Sequence, residues 1–416
     1  MPNPGGNNGH DNGDPPDDLP ALLQGYASKK VPLKHRIEQL REKNYHISLT
    51  TLKKLNKQYS IISPRRPPPE HIATTLIAAE MAQNITGSNS PNTIQLRVAL
   101  QTGVALPRAV VRGTMKALDP EGPSRRFPGK RPVKDRSVMT DNAVFYEIHF
   151  DGHEKLNFKA LEMVRAGIDM YGGRCHGSGL IALLRVVPNA RCGVTVGHLY
   201  LDLAESFGYI PVQNTVDGGT ETRYMTQLHK ELRTHFLRGF TLEDAPAVVA
   251  LPSTDNIPIE SLWSYLRNFS GRDLKAAILL GKTENYMNVT DDVHIHLFHW
   301  LWSRIVQNAV DLFVEYWNTH KTRNQRNKAL PSGVSPQDVF DKPQNFGLEF
   351  GGIEVDREFV PELRKTLPKS REECYRWVPE EFEVQAVAAY EHLGSPALRI
   401  TEGWTIFSRM LAILEA

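Results

Sequence analysis

GHLYLDLAESFGYIPVQNTVDGGTET, residues 197–222, holds helix, strand and acid in sequence. Residues Val194 to Phe207 read as a helix, and Ile210 to Val216 as a short strand. Asp217 follows that strand, and the glycines behind it leave room for a close backbone approach at a strand end. Upstream, Phe145 to Phe150, Met163 to Tyr171 and Leu180 to Val187 read as three strands punctuated by Gly172, Gly173, Gly177 and Gly179, the pattern of an antiparallel meander. Downstream come a helix from about Glu221 to Arg238, an apolar run Ala247 to Leu251 and a helix from about Ile257 to Asn268. This order is that of a ribonuclease-H-like α/β domain, although periodicity alone does not separate it from other α/β folds.

Further outward, charge divides the chain of 416 residues. The net charge is only +2, yet residues 1–20 carry four Asp and no Lys or Arg, residues 21–136 carry 21 basic and 7 acidic side chains, and the remainder is net −8. A basic module joined to an acidic one points to a polyanion-binding part attached to something else. Leu33, Ile37 and Leu40 recur at helical spacing after Pro32, as do Leu49, Leu52 and Leu55 after the N-cap candidate Ser48. Lys53, Lys54 and Lys57 lie off the leucine face, as on a helix-turn-helix recognition helix; a solvated hairpin would present them the same way. Past the Pro-rich linker 62–70, Asn92 and Gln95 have capping-box-like spacing, and Arg108, Arg112 and Lys116 form one basic stripe at i, i+4 and i+8. SRRFPGKRPVKDR, residues 124–136, adds Arg125, Arg126, Lys130 and Arg131 as a backbone-tracking arm, a nuclear localisation signal or a plain tether.

The expected division is a disordered acidic tail over 1–20, a helix-turn-helix-like unit over 21–62, a second helical DNA-binding-like unit over 63–120 and a basic linker over 121–140. A ribonuclease-H-like core over 141–325 and a helical extension over 326–416 complete it. No run approaches the roughly 20 apolar residues of a membrane span, and the first twenty residues lack the halves of a signal peptide. Cys175, Cys192 and Cys374 have no paired spacing, so neither a disulfide framework nor a cysteine-rich zinc module can be drawn, which fits cytosol or nucleus.

Three carboxylates stand where such a core places them: Asp151 at the close of the first strand in HFDGHEKL, Asp217 after the fourth, and Glu260 one turn into the late helix in NIPIESLW. Hard divalent cations require oxygen ligands, and two such ions clamp the attacking and leaving oxygens of phosphoryl transfer. Ser264 and Arg267 share the Glu260 face at i+4 and i+7; Arg267 is placed either to reach phosphate or to pair with a local acid. His153 and Glu154 are candidates to orient Asp151.

With EIHFDGHEKL (147–156), the strand and glycine pattern around Gly167 to Tyr171, residues 197–222, DNIPIESLW (255–263) and EYWNTHKTR (315–323), the chain resembles the integrase core-domain proteins. These are the DDE superfamily of retroviral integrases and transposases, most closely its fungal branch. The resemblance implies an integrase catalytic core preceded by small all-α helix-turn-helix units and followed by a helical region. It makes Asp151, Asp217 and Glu260 the metal-binding catalytic triad, with 42 residues between the last two. It further implies two Mg²⁺ or Mn²⁺ ions, DNA ends and target as partners, a homo-oligomer, no organic cofactor and no membrane, a mobile-element origin and the nucleus. Two alternatives remain: a catalytically silent, domesticated DNA-binding protein, and a nuclease without strand transfer. The chain departs from the family at Ile257 and Pro258, where related cores carry polar or basic residues, at Thr222, where many carry Asn, and in lacking the His and Cys pairs of retroviral zinc modules.

HIHLFHW (294–300) reads as a core helix, with Leu297, Trp300, Leu301 and Trp302 around His296 and His299. WNTHKTRNQRNK (317–328) is either a phosphate-tracking segment or a solvated helix end. GWTIFSRMLAIL (403–414) reads as packing or self-association surface.

Overall fold

The computed structural model describes residues 12–29, 31–61, 63–64, 67–126, 143–237, 246–252, 255–325 and 330–416. The chain divides into two compact units, 1–130 and 131–416.

The first unit holds six main helices in two groups of three. Helices α1 (Leu19–Ser28), α2 (Leu33–Glu42) and α3 (Leu49–Gln58) close over Leu19, Leu23, Leu40, Leu52 and Ile61. Ser48 caps α3, its hydroxyl accepting from the Thr51 N–H at 3.1 Å, as expected of an N-cap serine. Helix α1 was not foreseen. Of the expected acidic tail, residues 1–11 lie outside the described residues, and Leu19 opens α1 and is buried. Helices α4 (Glu70–Ala82), α5 (Pro91–Thr102) and α6 (Arg108–Leu118) close over Ile77, Ile94, Val98, Val111 and Met115. The start of α5 corrects the capping-box expectation. Ser90 is the cap, accepting from Thr93 N at 3.2 Å with Pro91 in the first turn, while Gln95 reaches instead to the Leu106 carbonyl at 2.6 Å.

The second unit is built on a five-stranded sheet of β1 (Glu147–Leu156), β2 (Ile168–Cys175), β3 (Ile181–Val187), β4 (Gln213–Asp217) and β5 (Val248–Leu251), ordered β3-β2-β1-β4-β5. β1, β2 and β3 are antiparallel neighbours, and β1, β4 and β5 are parallel. Together with the interleaved helices this is a mixed α/β architecture, and the expected meander is present. Its second strand, however, runs from Ile168 and not from Met163. Phe158–Leu161 forms a short helix ended by Glu162 at φ 53°, so the chain turns before it extends. Gly172 and Gly173 lie inside β2 and are not its terminators. A Cβ at Gly172 would stand 2.8 Å from the Trp263 ring, and one at Gly173 would stand 2.6 Å from Phe150.

One face of the sheet buries Ile148 and Phe150 against α7 (Gly193–Phe207) and α8 (Arg223–Phe236). The other buries Met170 and Leu184 against α9 (Ile257–Leu266) and the 28-residue α11 (Asp292–Thr319). The α9 segment was expected to stop at Asn268; it passes through a π-helical turn, Arg267–Gly271, into α10 (Arg272–Thr283). The exposed backbone of edge strand β3 is covered by side chains of α11. Asn318 bonds both the N–H and the carbonyl of Ile181 at 2.9 and 3.1 Å, and Gln307 accepts from Val186 N at 2.9 Å. The front of the WNTHKTRNQRNK segment therefore works as packing, and residues 326–328 lie outside the described ones.

Residues 330–416 complete the same core. In α13 (Gly403–Leu414), Trp404 and Phe407 pack with Phe298 and Trp302, and Trp404 donates to the Ala277 carbonyl at 2.6 Å. α12 (Glu380–His392) adds Phe382, whose ring meets that of His296 at a tilt, 5.2 Å between centroids. His299 accepts from Gly167 N at 3.5 Å, in keeping with a core role for the histidine helix. No helix among the described residues is long and apolar enough to cross a membrane, and all three cysteines are free thiols.

Candidate active site

Glu147, His149 and Asp151 alternate along β1 and so share one face of the sheet. Asp151 does not close the strand as expected; it sits mid-strand opposite Gly172 of β2. On the other side β1 runs parallel to β4 with His149 opposite Thr215, so two residues further on Asp151 and Asp217 reach the same level and the same face. Glu260 lies in the first turn of α9, the helix that covers this face. The three acids feel one another. Burial first, then the charges of Asp217 and Glu260, push the Asp151 carboxyl up to about 7.

Two donors hold that carboxylate in place: Trp263 Nε1 reaches Oδ2 at 2.7 Å, and the Gly152 N–H reaches Oδ1 at 2.8 Å. Each oxygen keeps a second lone pair. Trp263 can come this close because Gly172 beneath it has no side chain, and His153 stacks on its ring at 4.6 Å. The start of α9 is stapled to the sheet. Arg174 of β2 donates to the Pro258 carbonyl at 2.7 Å and to Ser261 Oγ at 2.6 Å, with its guanidinium over Trp317. Buried Asn256, the residue before α9, donates from Nδ2 to the Phe150 carbonyl at 3.2 Å and meets His149 Nδ1 through Oδ1 at 2.7 Å. The acceptor at this turn is thus the backbone carbonyl of Pro258.

Of the other expected site residues, Arg267 is exposed at the start of the π-helical turn, near enough for its charge to reach His153. Burial first, then Lys155 and Arg267, pull His153 down to about 4, so it is neutral at pH 7. Glu154 is drawn off to Arg191 in a two-bond pair, one bond of 2.8 Å. Ser264 is exposed. Among the described residues neither bonds the three acids, and Trp263 occupies the place foreseen for them. A fourth carboxylate went unnoticed in the sequence: Glu221, pushed up by burial and by the adjoining Asp217 carboxylate to which it bonds. Lys53, Lys54, Lys57, Arg108, Arg112 and Lys116 are all exposed in the first unit, the last three along one side of α6. Arg125 and Arg126 fall in the short helix Gly122–Arg126; Lys130 and Arg131 lie outside the described residues.

The family model described as integrase core domain matches residues 137–342. This segment is an integrase core domain. The match contains all three acids, together with Trp263, Arg174 and the whole sheet. Integrase cores as a family act in polynucleotidyl transfer on DNA and generally use divalent metals. No curated protein matches the chain.

Proposed function

We propose that the integrase core of this chain cuts and joins DNA by metal-dependent polynucleotidyl transfer, with Asp151, Asp217 and Glu260 as the catalytic acids. The observation that carries the reading is the Asp151 carboxyl, pushed up to about 7 by burial and by Asp217 and Glu260. Such a cluster holds surplus negative charge, and its donors are all oxygens, which fits Mg²⁺ or Mn²⁺. Asp151, between the other two, would be shared by two ions, with Asp217 and Glu260 holding one each. When bound, the ions supply Lewis-acid stabilisation of the attacking and leaving oxygens.

The protein's own part is placement. Trp263 and Gly152 fix the rotamer of Asp151, Arg174 and Asn256 fix the helix that carries Glu260, and Arg267 offers a cation to an adjacent DNA phosphate. A water or a DNA 3′-hydroxyl would then attack the phosphorus in line, losing its proton to solvent, while the opposite P–O3′ bond breaks and the strand end leaves as a 3′-hydroxyl. The basic helices of the first unit would supply backbone contacts to the DNA ends, and pairing of two ends calls for a homo-oligomer. A mobile-element origin and action in the nucleus follow from the same reading.

The test is strand nicking and joining on duplex DNA with Mg²⁺ or Mn²⁺, comparing wild type with Asp151→Asn and Glu260→Gln. Both variants are expected to lose cleavage and joining while keeping DNA binding and the folded far-UV spectrum. Wild-type protein that binds DNA and the metals without breaking a strand would overturn the proposal in favour of a silent DNA-binding protein. Nicking without joining would reduce it to a nuclease.

A further inference from the structure

Two residues back along β1 from Asp151, about 7 Å at strand spacing, another set of ligating atoms converges. His149 Nε2 and His176 Nδ1 stand 2.9 Å apart. Glu147 Oε1 is 3.3 Å from the former, and Oε2 is 3.2 Å from the latter. The three side chains are 14%, 5% and 11% exposed in the order Glu147, His149, His176.

The hydrogen bonds around this group fix which atoms face its centre. Asn256 Nδ2 is committed to the Phe150 carbonyl, so Asn256 presents Oδ1 to His149, and His149 Nδ1 must carry the proton. His149 therefore presents Nε2 to the Glu147 carboxylate and to His176. Glu147 in turn is oriented by Gln213 and Thr215, which both donate to its Oε1. A ring nitrogen facing a carboxylate at 3.3 Å calls for either a proton or a metal ion between them.

We propose that Glu147, His149 and His176 bind one divalent transition-metal ion of the zinc class, at a site separate from the carboxylate cluster. Ligand atoms about 3 Å apart are what a tetrahedral ion with bonds near 2.0–2.1 Å requires, and two imidazoles with one carboxylate is a zinc donor set with a fourth position open. The support around the ligands is complete on two of the three. Asn256 fixes the His149 tautomer and ring, and Gln213 and Thr215 donate to Glu147 Oε1, the former at 3.3 Å. The imidazole nitrogens separate this site chemically from the all-oxygen cluster on the same strand, which suits a hard ion. Its place in the fold gives it work. The ion would tie the start of β1 to the residue after β2, and through Asn256 to the start of the helix that carries Glu260. The competing occupant of the gap is a proton shared within the histidine pair.

The experiment uses the full chain with Asp151→Asn, Asp217→Asn and Glu260→Gln combined, so that the carboxylate cluster and its activity play no part. Chelator-stripped protein is titrated with Co²⁺ and then Zn²⁺, read by visible absorption and by metal analysis after gel filtration. The expected result is one ion per chain, with the intense visible bands of tetrahedral Co²⁺ bleached by Zn²⁺. His176→Ala or Glu147→Gln in that background should abolish the bands. His176→Cys keeps a ligand and should retain the ion while adding a sulfur-to-cobalt charge-transfer band, which also guards against loss of signal through misfolding. No bound ion in the stripped and titrated protein, or folded His176→Cys without the new band, overturns the proposal and leaves a protonated histidine pair.

Discussion

Replacing Asp151 by Asn, in chelator and without DNA, should stabilise the protein at alkaline pH, although it removes an acid proposed to be catalytic. In the folded chain the Asp151 carboxyl rises from 3.8 to about 7, roughly three units or ~4 kcal/mol at 1.36 kcal/mol per unit. The folded state therefore binds this proton more tightly than the unfolded state. Stability is lost as the pH climbs from the unfolded value through the folded one, and the full penalty is present above about 7. Asn carries no charge and escapes that penalty. It can accept from only one of Trp263 and Gly152, and the lost bond costs about 1–2 kcal/mol. The net expectation near pH 8 is a gain of about 2 kcal/mol, or about 4 °C in melting temperature for a unit of this size. Differential scanning calorimetry from pH 8 to pH 5 should show the gap closing as wild-type Asp151 takes up its proton. Mg²⁺ should raise the wild type more than the variant, because it neutralises the same charges. If Asp151→Asn melts below wild type at pH 8, or the gap ignores pH, the three acids do not form one coupled cluster.

Gly172→Ala would press a Cβ to 2.8 Å from Trp263 and 3.1 Å from Leu184, costing about 1–3 kcal/mol in urea titration; strand nicking should fall with it, because Trp263 then loses Asp151. Full activity with an unchanged midpoint would show that the tryptophan does not position the acid. Trp404→Ala should cost about 3–5 kcal/mol and lower the single unfolding transition of the second unit, because Trp404 packs on Trp302 and Phe298; a loss below about 1 kcal/mol would argue that the C-terminal helices are dispensable. Neutralising Lys53, Lys54 and Lys57 together should weaken DNA binding and reduce the log–log salt slope by about 2 to 3. An unchanged slope would remove α3 from the DNA-binding surface.

The parts of the fold that could be read in advance are those where one local rule acts alone. Helix α7, strand β3 and the Ser48 cap follow from periodicity and from a serine hydroxyl in reach of its own helix. The misplacement of β2 has a different origin. On local grounds Gly172 and Gly173 read as stops, because a glycine in a strand is locally unfavourable. They are kept inside the strand by Trp263 and Phe150 pressing from either side, and Trp263 is 91 residues away in sequence. Helix α1 escaped for a similar reason. Its Leu19 and Leu23 become a core only once Leu40 and Leu52 close over them, and on their own they are two leucines next to a polar tail.

The acids of the site were legible as strings, and their arrangement follows from strand register, but what orients them is tertiary. Ser264 and Glu154 were reasonable candidates from helix geometry and adjacency. Helix α9 instead lies with Trp263 against the sheet, because Arg174 and Asn256 fix its first turn, and Arg191 removes Glu154. One local rule carried more than was drawn from it. The alternation that puts Asp151 on the α9 face also puts His149 and Glu147 there, and antiparallel pairing brings in His176, whose N–H bonds the Glu147 carbonyl at 2.9 Å. Residues at i, i+2 and i+4 of one strand thus line up imidazole and carboxylate chemistry on a single face. Asn256 spans the two sites, since its amide bonds His149 with one atom and the backbone beside Asp151 with the other. Any cation that fixes His149 therefore also fixes the first turn beneath Glu260, and the stiffness of the helix that carries Glu260 depends on what fills the gap between the two histidines.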